Sequence, residues 1–201
     1  DLKIKIPGNK KEIKKIKIPL LGLHNIKNAA ACVAISFLIG INTKIIKSGL
    51  TNFKGVERRF NLLFERNKAL FFDDYAHHPT EISSVLDGVK KVYQKKEIIC
   101  IFQPHRISRV KNLKNEFSKS FKKADTVILC PIFKASENIK LSFSYESFAK
   151  LIIKNSKVSL IKIENEIDLR KLIRQTGYGE KIYIGMGAGT ISSWMKNLST
   201  F

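Results

Sequence analysis

At 201 residues, 44% of them hydrophobic, the chain can bury one full domain plus a smaller piece, and it is too apolar to stay disordered. Its apolar runs, such as 98–102 and 127–133, are strand-sized and fall short of the roughly 20 residues a membrane-spanning helix needs, which predicts a soluble protein without a membrane partner. The formal charge of +20 invites a nucleic-acid reading, but only seven of the 37 basic residues are arginine and the lysines are scattered throughout, whereas base readout and bidentate phosphate grip favour arginine.

Residues 2–6 and 13–18 alternate apolar and lysine residues around Pro7, Gly8, Asn9 and Lys10, the period-2 pattern of a hairpin at a sheet edge. After Pro19 to Gly22, the Ala-rich stretch 24–39 is apolar all round beyond its start, which predicts a largely buried helix. A second helix is expected over 43–50 with Thr43 as its N-cap. FKGVERRF, 53–60, carries a glycine and several charges and reads as an interdomain linker. From Asn61 onward strands alternate with amphipathic helices: strands at 62–65, 69–73, 98–102, 126–129, 158–161 and 181–184, helices at 79–93, 110–122, 145–155, 166–174 and 188–196. That alternation predicts an α/β domain with a mostly parallel sheet. Ile82, Val85, Leu86, Val89 and Tyr93 share one helical face, and Pro79 suits a first helical position.

Three cysteines, Cys32, Cys100 and Cys130, lie far apart in apolar surroundings with no metal-ligand spacing. They are expected to be buried, reduced thiols of a cytoplasmic protein, with no metal held. The chain opens at Asp1 with no signal-peptide pattern and reads as a piece of something longer.

Ligands of open α/β sheets bind beyond the carboxyl ends of the strands, so two polar clusters that follow apolar strands carry the functional weight. In FFDDYAHHPTE, 71–81, carboxylates, a phenol and imidazoles precede a helix N-terminus, where free N–H groups favour an anion. The plainer account has Asp73 and Asp74 capping the turn while His77 and His78 satisfy backbone groups. In IFQPHRISR, 101–109, Arg106 and Arg109 are either solvated charges three residues apart or, with His105, a fork for carboxylate or phosphate. Gly185-Met186-Gly187-Ala188-Gly189 follows a strand, but without a later acidic residue it reads better as a tight turn than as a dinucleotide loop. His24, Asn25 and Asn28 open a helix, where capping is a sufficient role.

In order, GLHNIKNAAA (22–31), GVERRF (55–60), DDYAHHPTE (73–81), FQPHRISR (102–109) and GMGAG (185–189) resemble the Mur ligases along the whole chain. DDYxHHPTE followed by PHRxxR is the specific part. The resemblance implies that 1–56 is the C-terminal remnant of a central ATP-binding domain and 57–201 a Rossmann-like C-terminal domain. It implies an ATP-dependent ligase of peptidoglycan precursor synthesis that joins L-alanine to UDP-N-acetylmuramate through an acyl phosphate. By the same resemblance Asn25, Asn28, Arg59 and Asp74 would bind ATP. Tyr75, His77, His105, Arg106 and Arg109 would surround the alanine, with His77, His105, Arg106 and Arg109 catalytic.

Ile107-Ser108 departs from the family's usual Tyr-Thr, and Ala76 stands where Gly is frequent. The chain has no GxxGK[ST] phosphate loop, and the Mg²⁺ ligands are expected in a preceding N-terminal portion of the same enzyme. The 201 residues alone are therefore expected neither to hydrolyse ATP nor to form the amide. The rivals are a ligase that recycles murein tripeptide, a basic nucleic-acid-binding module without catalysis, and a noncatalytic remnant that only binds nucleotide or a partner.

Overall fold

The computed structural model describes residues 2–5, 12–18, 23–53, 55–140 and 143–200, with the side chains of 2, 12, 15, 23 and 24 left aside. The predicted hairpin tip at Pro7 to Lys10 and the segment 19–22 lie outside that set. The chain divides into two units, residues 1–56 and 57–201.

In the first unit, strands β1 (Leu2–Lys5) and β2 (Glu12–Ile16) pair antiparallel, as alternation predicts. Helices α1 (Leu23–Leu38) and α2 (Thr43–Thr51) follow, and Ile13, Ile16, Val33 and Ile46 form a small core. Thr43 is the first helical residue; the cap is Asn42, whose side chain accepts from Lys44 N at 2.8 Å, because a cap must keep extended backbone one residue earlier. Nor is α1 buried all round: Ile35 and Leu38 are 60% and 77% exposed and Cys32 is exposed, since the helix meets this core along one side only.

The second unit is a six-stranded sheet in the order β3-β4-β8-β5-β6-β7. Its strands are β3 (Asn61–Arg66), β4 (Ala69–Asp74), β5 (Glu97–Phe102), β6 (Thr126–Leu129), β7 (Ser159–Lys162) and β8 (Lys181–Met186). All neighbours are parallel except β3, which turns back onto β4. Asn67 and Lys68 make that turn with φ of 47° and 70°, the double left-handed geometry that matches strand twist in a two-residue hairpin.

One face of the sheet is covered by α3 (Pro79–Val92), α4 (Ile107–Asn112), α5 (Lys114–Lys119) and α6 (Tyr145–Ser156), which bury Leu86, Val110, Phe117 and Phe148. The other is covered by α7 (Glu166–Thr176) and α8 (Ile191–Asn197), through Leu169, Ile173 and Met195. Sheets covered on both faces read as continuous apolar runs, which is why EIICIF and ALFFDD scarcely alternate.

The single helix expected over 110–122 is two short ones broken at Leu113 (φ −115°, ψ 22°), a bend that lets Val110 and Phe117 both reach the same core. The last helix starts at Ile191, three residues later than the sequence suggested, because 188–190 still belong to a turn. Among the described residues no helix is long and apolar enough to cross a membrane.

Candidate functional site

Strands β4, β5 and β8 end in register: Asp74 and Phe102 both pair with Met186. Their following loops therefore emerge side by side at the carboxyl edge, where β8 inserts between β4 and β5.

The loop entering β3 is anchored to this edge. Arg58 and Phe60 take positive φ, 61° and 52°. Phe60 stacks on Phe72 at 4.1 Å and donates its N–H to Asp74 Oδ2 at 2.8 Å. Arg58 donates Nη2 to the Gly187 carbonyl at 2.6 Å, lies over the Tyr75 ring at 4.8 Å, and places Nε 3.6 Å from Asp73 Oδ2. Asp73 Oδ2 also accepts from Ser192 Oγ at 2.5 Å. Among the described residues Asp73 Oδ1 and Arg58 Nε are buried without a hydrogen-bond partner. Arg59, the arginine singled out from the sequence, is exposed, 5.8 Å from the Tyr75 ring centroid.

Asp74 is 3% exposed, and its Oδ1 accepts from Ala76 N at 2.7 Å. Burial pushes this carboxyl up to about 6, against the opposing pull of the Ala76 and Phe60 N–H groups. The capping account thus describes Asp74, whereas Asp73 is committed to Arg58 and Ser192.

Along the β4–α3 loop the two histidines do different things. His78 is the N-cap of α3, with Nδ1 2.8 Å from Thr80 Oγ1 and accepting from Thr80 N. Glu81 completes the capping box, taking the His77 and His78 N–H groups on Oε2 at 3.0 and 3.2 Å. Burial raises the Glu81 carboxyl, but those N–H groups and the His77 ring outweigh it and leave it below its usual value. His77 turns its ring to the site, with Nδ1 2.9 Å from the Tyr75 carbonyl and 3.5 Å from Glu81 Oε2. Tyr75 meets His77 edge-on at 5.0 Å, and His77 meets His105 at 6.0 Å.

The β5–α4 loop is held from elsewhere in the fold. His105 stacks on Phe133 at 5.5 Å, and Arg106 N donates to the Phe133 carbonyl at 2.8 Å while Arg106 sits at φ 71°. A non-glycine residue in that region persists only where its surroundings over-determine it. Glu137 provides this from 29 residues away, accepting from Ser108 N at 3.0 Å and from Ser108 Oγ at the start of α4. Those Ser108 bonds, with the Ile107 N–H and Arg106 behind them, hold the Glu137 carboxyl below its usual value. Arg109, half-buried, places Nη1 3.2 Å from His105 Nδ1 and 3.3 Å from the His105 carbonyl. Burial, then Arg109, His77 and Arg106, lowers the His105 pKa.

The glycine run is packing. A Cβ at Gly187 (φ 149°) would stand 2.6 Å from the Gln103 carbonyl, and one at Gly189 would stand 2.5 Å from Gln103 Oε1 and 2.6 Å from Phe133. Gln103 in turn donates Nε2 to Thr190 Oγ1 at 2.9 Å and accepts from Ile191 N at 3.0 Å. The geometry is that of a tight βα turn.

The structure thus brings together Tyr75, His77, His105 and Arg109, with Arg106 beginning the same helix and Arg59 and Asp74 beside Tyr75. Asn25 and Asn28 belong to the first unit and lie within the opening turns of α1. Among the described residues no group of three or more His, Cys, Asp or Glu side chains could hold a metal ion. Sequence reasoning missed Arg58, Glu81, Phe133 and Glu137. Glu81 stood in the quoted motif, three residues after a capping histidine, and Arg58 adjoined Arg59; Phe133 and Glu137 left no signal near the residues they support.

A family model described as Mur ligase, glutamate ligase domain, matches residues 58–187. A UDP-N-acetylmuramate–L-alanine ligase from Pelagibacter ubique is 60% identical over 199 residues, covering 98% of this chain and 43% of that protein. Among solved structures, UDP-N-acetylmuramate–alanine ligase from Thermotoga maritima is similar with a TM-score of 0.75 at 27% identity, over 96% of this chain and 40% of that one. A murein peptide ligase from Psychrobacter arcticus gives 0.69 at 25% identity, over 96% and 40%. The chain spans about two fifths of the length of these relatives.

Proposed function

The chain belongs to the Mur ligase family, and from that premise we propose that it is the C-terminal part of a cytoplasmic ATP-dependent ligase joining L-alanine to UDP-N-acetylmuramate in peptidoglycan precursor synthesis. Residues 1–56 are then the end of a central ATP-binding domain and 57–201 the amino-acid-adding domain. The observation that carries the reading is the convergence of Tyr75, His77, His105 and Arg109 at the carboxyl edge of the sheet. Identity of 60% with an alanine-adding relative supports that enzyme over the tripeptide-recycling one.

In this reading ATP phosphorylates the muramoyl carboxylate elsewhere in the enzyme, and this domain delivers the amine to the acyl phosphate. Arg106 and Arg109 suit the alanine carboxylate, because a guanidinium grips it bidentately. His77 and His105 serve proton transfer and stabilisation of the tetrahedral oxyanion. Asn25, Asn28, Arg59 and Asp74 are assigned to ATP, Asp74 with both carboxylate oxygens already engaged by backbone N–H groups. Among the described residues no cluster could hold a metal ion, and the Mg²⁺ ligands are assigned to the preceding domain.

In the full-length ligase, Arg106→Ala should raise the KM for L-alanine far more than that for ATP; equal rises would sink the carboxylate role. Free L-alanine should be a far better acceptor than murein tripeptide. The 201 residues alone should turn over neither ATP nor alanine.

A further inference from the structure

The two site histidines are held by partners of opposite hydrogen-bonding character. His77 Nδ1 is 2.9 Å from the Tyr75 carbonyl and 3.5 Å from Glu81 Oε2. Both are acceptors only, so Nδ1 must carry a proton, and in the neutral ring Nε2 keeps the lone pair. His105 Nδ1 is 3.2 Å from Arg109 Nη1. A guanidinium has donors and no acceptor, so this Nδ1 must accept, and the ring proton sits on Nε2. The flanking Arg106 and Arg109 further disfavour an imidazolium at His105.

We propose that the two rings are opposed tautomers with separate roles: His77 is the proton acceptor for the attacking amine, and His105 is an N–H donor to the oxyanion. The division rests on the ligase reading for its chemistry but not for its geometry. The Tyr75 carbonyl is the hydrogen-bond partner that sets the His77 ring, and the carboxylate that caps α3 stands behind it at 3.5 Å.

The ammonium of L-alanine gives one proton to His77 Nε2, which frees the nitrogen lone pair to bond to the acyl carbon. The carbonyl π electrons move to oxygen, where the His105 Nε2–H meets them. As the tetrahedral centre collapses, the bond from carbon to the phosphate oxygen breaks, phosphate leaves with the electron pair, and the second amine proton leaves with it or to water.

Two measurements test this. Long-range ¹H–¹⁵N correlation spectra of the 201-residue chain should show His77 as the Nδ1–H and His105 as the Nε2–H tautomer at a pH where both are neutral. Glu81→Gln should leave His77 in the Nδ1–H form, because the Tyr75 carbonyl at 2.9 Å still accepts from it. The same tautomer for both rings overturns the proposal, whether or not the ligase reading stands.

In the full-length ligase, hydroxylamine, already neutral at neutral pH, can replace L-alanine as nucleophile. His77→Gln should slow amide formation with L-alanine on the order of 10²-fold, the lower range for a lost general base, and slow hydroxamate formation far less. His105→Ala should slow both reactions by similar factors. An equal loss with both nucleophiles in His77→Gln overturns the division. Absence of both products from the unmodified ligase instead refutes the ligase reading and leaves the tautomer result to decide the geometry.

Discussion

The loops that follow β4 and β5 carry equivalent cargo, imidazoles and charged groups at a sheet edge, but they are built in opposite ways. The β4–α3 loop is held at its start by the 58–60 segment, through Tyr75 N to the Arg58 carbonyl and Phe60 N to Asp74, and from there by its own Asp74–Ala76, His78–Thr80 and Glu81–His77 bonds, which span four residues or fewer. The β5–α4 loop is fixed from outside, by Phe133 and Glu137 and by the glycine turn after β8 pressed against Gln103. A loop of the first kind keeps its helix-capping bonds within its own sequence. One of the second kind holds Arg106 at positive φ only while those parts stay in place.

The sharpest way to break this contrast is Gly187→Ala. The new Cβ would meet the Gln103 backbone at 2.6 Å in a conformation side chains rarely adopt, costing about 3 kcal/mol from overpacking and backbone strain. Urea denaturation should show a clearly lower midpoint, and in the folded fraction His105 should lose its Arg109-bound tautomer while His77 keeps its own. An unchanged midpoint would refute the clamp.

The next effect comes from the first loop. Asp74 has its carboxyl raised from 3.8 to about 6, so the folded state holds the proton more tightly than the unfolded one. Its contribution is present below pH 3.8 and lost as pH rises through about 6; at full weight the shift corresponds to roughly 2–3 kcal/mol. Asp74→Asn should flatten the stability profile between those limits, and a profile identical to the parent's would remove Asp74 as its source.

Glu137→Gln in the full-length ligase weakens the remote anchor of Arg106, and small misplacements are expensive in a positioned site, so the KM for L-alanine should rise about tenfold with that for ATP unmoved. If both rise together, Glu137 supports the fold generally and not the loop. The smallest effect should be Glu81→Ala, which removes a capping-box carboxylate and about 1 kcal/mol of helix stabilisation. Amide exchange should quicken in the first turn of α3 and stay unchanged in α4; equal loosening of both would blur the distinction between the loops.

This difference in construction explains what could be read in advance. Ile82, Val85, Leu86 and Val89 on one face of a helix, and the uninterrupted apolar run of β5, are short-range patterns, and the α/β architecture follows from them. Tyr75 and His77 stood together in one motif for the same reason. The break at Leu113, the late start of α8 and the exposure of Cys32 depend on what packs against each element, which periodicity does not encode. The division of labour between the two histidines was illegible because an imidazole's tautomer is set by its partner. One partner, the Tyr75 carbonyl, was two residues away; Arg109, four residues from His105, reaches it because α4 starts where Glu137 and Phe133 hold it.

The sequence by itself determined the order of strands and helices, the two polar loops and the family signature, since each is written in residues close together along the chain. Tertiary structure alone decided that Asp73 belongs to Arg58 and Ser192, that the glycines pack against Gln103 and Phe133, and that Glu137 holds the arginine loop. Those contacts join residues 15 to 119 positions apart, and the sheet brings them within bonding distance: antiparallel β3–β4 for Arg58, parallel β4–β8–β5 for Ser192 and the glycines, and parallel β5–β6 for Glu137 and Phe133.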